Sequence, residues 1–183
     1  EFITLARSQP GRLSYSSSGA GGAPHLAAEM FKLGSNTFIV HVPYRGGGPA
    51  VSDLIAGHVQ LSFMTVLEAS GHIKAGKLRA LAVTSSQRVS ALPDVPALAE
   101  GALPGFNSIS WIGLLAPAGT PRDIVEKISA DVRELIASDE VKTRLTDLGG
   151  VPRANTPAQF GQMIEADRKR YTQIIRERKI TVD

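Results

Sequence analysis

Leu13-Ser14-Tyr15-Ser16-Ser17-Ser18-Gly19-Ala20-Gly21-Gly22-Ala23-Pro24-His25-Leu26-Ala27-Ala28-Glu29-Met30-Phe31 reads as a strand, a glycine-rich turn and a helix in one short stretch. Leu13 and Tyr15 alternate with polar neighbours, the period of a half-buried strand. The glycines admit backbone conformations closed to other residues and leave no side chain over the loop. Pro24 suits the first position of a helix, where its missing N–H would have had no partner, and Leu26, Ala27, Met30 and Phe31 follow on one face. The free N–H groups and the positive end of the helix dipole then face open space, beside the hydroxyls of Ser17 and Ser18. Such a turn is a natural anion site. The plainer alternative is that the glycines only shape a tight connection.

The loop narrows the kind of anion. A phosphate-binding P-loop ends in Gly-Lys-Ser/Thr, whereas this one ends in Ala23-Pro24-His25 and contains no lysine. A dinucleotide fingerprint fails as well, because Pro24 stands where its third glycine belongs. A neutral cradle of N–H and hydroxyl groups suits a carboxylate. Its candidate members are Ser17, Ser18, Gly19, Gly21, Gly22 and Ala23, with His25 in the first turn of the helix facing the ligand.

The same unit recurs downstream. Gly34-Ser35-Asn36 stops the first helix, residues 37–44 read as a strand, and Arg45-Gly46-Gly47-Gly48 leads through Pro49 into a helix that Gly57 ends. Two successive strand, glycine loop and helix units predict an α/β fold with a parallel sheet, both helix N-termini lying at its carboxyl edge. Ligands bind at that edge of open α/β sheets, which adds the turn Tyr44, Arg45 and Gly46 to the site. A third strand is expected at 59–64, a helix to Lys74 or Ala75, and a fourth strand at 77–84. The proline-punctuated stretch 92–105 reads as a connection between two bodies. A strand at 110–117, with Trp111 in a core, opens the second body, and helices begin at Thr120-Pro121, Ser138 and Thr156-Pro157.

Composition excludes several classes. The chain has 183 residues, 43% of them hydrophobic, which marks it as globular, and no apolar run approaches the roughly 20 residues of a membrane span. It has no cysteine, so disulfide and thiolate chemistry are excluded. The net charge of +3 divides as +2 over residues 1–110, −2 over 111–150 and +3 over 151–183, too evenly for a nucleic-acid stripe. His25, His41, His58 and His72 include no pair at metal-binding spacing, and His41 in its apolar strand reads as a core residue. Ser17 and Ser18 lack the G-x-S-x-G elbow of a serine hydrolase, so no catalytic group, metal or cofactor is expected. The opening Glu1-Phe2-Ile3-Thr4-Leu5-Ala6-Arg7 reads as the middle of a helix, as in a fragment or a processed product.

Several stretches together resemble one family. They are Pro10-Gly11-Arg12-Leu13-Ser14-Tyr15 with Ser18-Gly19 and His25-Leu26; His41-Val42-Pro43-Tyr44-Arg45-Gly46; Lys74-Ala75-Gly76-Lys77-Leu78-Arg79-Ala80-Leu81-Ala82-Val83-Thr84; Leu92-Pro93-Asp94-Val95-Pro96; and Trp111-x-Gly113 followed by Ala116-Pro117-Ala118-Gly119-Thr120-Pro121. The chain resembles the periplasmic substrate-binding proteins of tripartite tricarboxylate transporters, the Bug family, nearly end to end.

The resemblance implies a bilobed type II periplasmic-binding-protein fold that closes over a small carboxylate in the periplasm and presents it to a membrane permease. It implies that residues 1–108 form the second, ligand-binding lobe, and that 109–183 return to a first lobe whose N-terminal half-domain is missing. The truncated chain is then expected to self-associate through the apolar stripes of its C-terminal helices. Many family members carry an aspartate after the third strand where this chain has Met64 followed by Thr65. The resemblance therefore adds both residues to the site and implies a ligand without an amino group at that wall. Two other readings stay open: the effector-binding domain of a LysR-type regulator, and a small α/β hydrolase.

Overall fold

The computed structural model describes residues 1–181. Strand β1 (Ser14–Ser17) is central in a three-stranded parallel sheet, with β2 (Val40–Pro43) on one side and β3 (Leu61–Ser62) on the other. Ser14 pairs with Val40 and Ser17 with Pro43, while Tyr15 pairs with Leu61. All three strands run the same way, so their carboxyl ends meet at one edge, as the repeated strand, loop and helix units require. Helix α1 (Phe2–Ser8) precedes the sheet, α2 (Ala23–Ser35) joins β1 to β2, α3 (Gly47–Ile55) joins β2 to β3, and α4 (Val66–Lys74) follows β3.

Apolar side chains from distant parts make the core: Ala6 of α1, Tyr15 of β1, Ala28 and Phe31 of α2, Ile39, and then Leu103 and Phe106. The last two come from the proline-punctuated connection, which is irregular but closes over the sheet. Leu103 packs against Gly34, where a Cβ would lie 3.4 Å from Leu103 Cδ2.

Two expected strands do not form. Residues 77–84 alternate in exposure but enter no ladder beyond an isolated bridge of Val83 with Ala97. The end of the stretch is tied to the irregular connection instead: Val83 N–H donates to the Pro96 carbonyl, and the Val83 and Thr84 carbonyls accept from Leu98 and Ser108. The stretch 110–117 likewise has no strand partner among the described residues, and Ile112, Leu114 and Leu115 are exposed. Trp111, expected in a core, is 38% exposed. It is held instead on the last helix, edge-on to Phe160 at 5.1 Å, with its Nε1–H donating to Asp167 Oδ2 at 2.9 Å.

Helices α5 (Arg122–Ala137), α6 (Asp139–Asp147) and α7 (Pro157–Arg178) complete the chain. Thr156 caps α7 by accepting the Gln159 N–H while the Gln159 side chain accepts the Thr156 N–H, a reciprocal box that fixes the start. The apolar stripe of α5 is open, with Ile124, Ile128 and Leu135 exposed. The far end of α7 packs on α2 instead: Ile174 is buried, and Arg178 Nε donates to Glu29 Oε2 at 2.8 Å. The helix thus bridges the boundary expected at residue 108.

Candidate functional site

Three loops meet at the carboxyl edge. The N–H of Tyr44 donates to the Ser17 carbonyl at 3.0 Å and that of Gly46 to the Ser18 carbonyl at 3.2 Å, which ties the second loop to the first. The Phe63 N–H donates to the Ser16 carbonyl at 3.3 Å and aligns the third. Gly46 takes a φ of 109°, a left-handed conformation that lets the chain turn directly from strand into helix. Helix α2 starts after Gly22, with Pro24 in its second position, and α3 starts after Gly46; neither N-cap has a side-chain cap. Among the described residues, no acceptor takes the N–H groups of Gly22, Ala23 or His25, or those of Gly47 and Gly48. These donors and the dipoles behind them form a shelf open to an anion.

The side chains around the shelf are already committed to different degrees. Among the described residues the Ser18 hydroxyl has no partner and the exposed Arg45 makes no ion pair. Ser17, expected to offer its hydroxyl, is fully buried; its Oγ lies 2.7 Å from His41 Nε2 and 3.0 Å from the Gly19 carbonyl oxygen. That contact carries no serine chemistry, since the hydroxyl is shut away and no carboxylate among the described residues holds the other ring nitrogen of His41. Tyr44 donates its hydroxyl to Asp53 Oδ2 at 2.7 Å, and this bond raises the phenol pKa. Thr65 N-caps α4, taking the Glu68 N–H and donating to Glu68 Oε2 at 2.8 Å. Met64 is half-buried beside it.

His25 was expected to face the ligand and instead faces inward. Its Nδ1 accepts the Gly21 N–H at 3.0 Å, which removes that donor from the shelf and pins the glycine loop to α2. Its ring stacks on His41 at 3.9 Å, and His41 stacks on Tyr15 at 4.8 Å. Burial lowers both histidine pKa values, that of His41 to about 4, with the neighbouring His25 adding to the shift. Both rings are therefore neutral at neutral pH, and His25 carries its proton on Nε2, towards Glu29.

Glu29 closes this inner stack. Its Oε1 accepts from Lys32 Nζ at 2.5 Å and from the Tyr15 hydroxyl at 3.1 Å, and its Oε2 accepts from Arg178. Burial by itself would raise the Glu29 pKa, but the hydrogen bonds from Lys32 and Arg178 outweigh it and hold the carboxyl below its ordinary value. The Tyr15 phenol is pushed up, by burial first and then by Glu29. A cavity of about 500 Å³ lies on this side, lined by His25, Glu29, Lys32, His41 and Arg178 among others, and it does not include the shelf.

The structure thus brings Ser18, Gly19, Gly22 and Ala23 together with Tyr44, Arg45 and Gly46, and turns Ser17 and His25 away. Met64 and Thr65 reach the group through Glu68. Sequence reasoning missed Glu68, although the T-x-x-E spacing of Thr65 and Glu68 ahead of an apolar run signals a capping box.

Comparison with known proteins agrees with this architecture. A UPF0065 protein from the tcbD-tcbE intergenic region of Pseudomonas sp. (strain P51) is 38% identical over 184 residues, covering 100% of this chain and 55% of that protein. Protein BugT of Bordetella pertussis is 33% identical over 176 residues, covering 96% of this chain and 54% of its own. The chain therefore spans about half the length of these relatives. Among solved structures, R. palustris Rpa4515 with adipate superposes with a TM-score of 0.90 at 32% identity, covering 100% of this chain and 61% of that one. MatC (Rpa3494) from Rhodopseudomonas palustris with bound malate superposes with a TM-score of 0.80 at 32% identity, covering 95% and 60%. The family model for the tripartite tricarboxylate transporter family receptor matches residues 1–180, and the chain belongs to that family.

Proposed function

We propose that this chain forms the ligand-binding lobe and the returning segment of a periplasmic solute receptor that captures a small carboxylate for the membrane permease of a tripartite tricarboxylate transporter. Residues 1–108 supply the lobe, and 109–183 return to the other lobe, with the end of α7 folding back onto α2. The observation that carries this reading is the shelf at the carboxyl edge, where two uncapped helix N-termini and the free Ser18 hydroxyl converge in a chain of a receptor family. Adipate and malate, bound by two structural neighbours, support a carboxylate as the ligand class. Ser18, Gly19, Gly22, Ala23, Tyr44, Arg45 and Gly46 are the proposed contacts. Each charge-assisted hydrogen bond from the shelf contributes roughly 1.5–3 kcal/mol. The family is one of receptors, and the proposed chemistry is capture and release with no bond made or broken.

Gly22→Leu tests the site. Gly22 has a φ of −70°, and a Cβ there meets only the Gly19 carbonyl at 3.7 Å and Pro24 Cδ at 3.8 Å, so the fold accepts a side chain that covers the N–H groups. Calorimetry on the complete receptor should show carboxylate binding lost while the unfolding midpoint changes little. Unchanged affinity in Gly22→Leu would place the site elsewhere.

A further inference from the structure

Glu68 puts a carboxylate at the same edge. Its Oε2 is taken by the Thr65 N–H at 2.9 Å and the Thr65 hydroxyl at 2.8 Å, whereas its Oε1 accepts no hydrogen bond among the described residues. That free oxygen lies against Gly47: a Cβ built there would be 1.9 Å from it. The carboxylate therefore lies against the Gly47 backbone at the start of α3, as the free end of a side chain that can rotate. Gly46, one residue away, donates to the Ser18 carbonyl and so belongs to the same shelf. Glu68 thus stands at the rim beside the start of α3, whereas α2 has no acidic residue in its first turn. Arg45, two residues before Gly47, makes no ion pair with Glu68 among the described residues, so the carboxylate is balanced only by its cap at the start of α4. Met64 leaves the third loop without an acid at its own position, and the next turn supplies one.

We infer that Glu68 is a specificity-determining residue that sets a hydrogen-bond acceptor opposite the α2 cradle. The receptor then takes a monocarboxylate whose far end carries a donor, hydroxyl or ammonium, and rejects a second carboxylate there. The inference rests on the carboxylate reading above. A second carboxylate arriving beside the first is the repulsive element that discriminates, and a donor arriving there meets a free lone pair. The wall made by the third loop therefore welcomes an ammonium, contrary to what Met64 by itself implies.

Glu68→Gln removes the charge and keeps the cap, because a glutamine already closes the equivalent box at Thr156 and Gln159. Calorimetry on the complete receptor would use butyrate, gamma-hydroxybutyrate, gamma-aminobutyrate and succinate, which differ only at the far end, and then the six-carbon series built the same way. The wild-type protein should prefer the donor-ended ligands over the dicarboxylate of equal length by about tenfold or more, and Glu68→Gln should shrink that preference at least about fivefold. The ammonium arm should lose more than the hydroxyl arm, since it loses a charge partner as well. A wild-type preference for the dicarboxylate, or a ratio unchanged by Glu68→Gln, overturns the inference and leaves the carboxylate reading standing. Absence of binding by every member to both proteins overturns the two together.

Discussion

Replacing Glu29 by leucine should destabilise the chain by about 3–5 kcal/mol, the cost of breaking a buried ion pair by removing one partner. The magnitude follows from what the substitution strands. The Lys32 side chain is 9% exposed and loses its 2.5 Å partner. The Tyr15 hydroxyl loses the acceptor it has among the described residues, in a residue with no exposure, a loss of about 1–3 kcal/mol by itself. Arg178 is 29% exposed and turns to water, so it adds little. These terms overlap, because Lys32 can extend towards solvent once released, and the sum stays near that of one broken buried pair. Urea unfolding of wild type and Glu29→Leu measures the difference. The double change Glu29→Leu with Lys32→Met should recover at least half of the loss, since an apolar pair of similar volume often replaces a buried ion pair at no net cost. The pH dependence has a definite sign: the Glu29 pKa is lowered by folding, so its contribution is present above the unfolded value and is lost as pH falls through the folded one. A loss below about 1 kcal/mol in Glu29→Leu, or a double variant no more stable than the single one, would refute the reasoning.

Folding lowers the His41 pKa from 6.5 to about 4, so the unfolded chain binds its proton first as pH falls and stability declines across that window. After allowance for partial exposure the decline is on the order of 1–2 kcal/mol. His41→Phe keeps a ring between Tyr15 and His25 and should flatten the slope between neutral and mildly acidic urea midpoints, leaving the smaller part due to His25. The exposed run through Ile112, Leu114 and Leu115, together with the open face of α5, should drive the isolated chain to self-associate. In sedimentation velocity, Leu114→Ser with Leu115→Ser should return it towards monomer.

Local chemistry was enough to read the order of strands and helices from β1 to α4. Glycine loops followed by prolines start α2 and α3 wherever they occur, because an unpaired helix start tolerates proline and a sharp turn needs glycine. The parallel sheet follows from two such units in succession, and the box at Thr156 is a contact between residues three apart. The residues that resemble the receptor family also lie in short, ordered stretches, so membership was legible without coordinates. What could not be read depends on partners far away in the chain. Residues 77–84 have the alternation of a strand, but Val83 and Thr84 bond to the irregular connection at 96–98 and 108, and the stretch joins no ladder. His25 sits at the mouth of the glycine loop in sequence, yet its ring turns in because His41, sixteen residues on, offers a face to stack on and the Gly21 N–H a bond to accept. Glu29 looks like one more polar residue of a helix until Arg178 arrives from the far end of α7. Whether a side chain serves the fold or the ligand is decided by which group meets it in space, and only the tertiary structure sets those meetings.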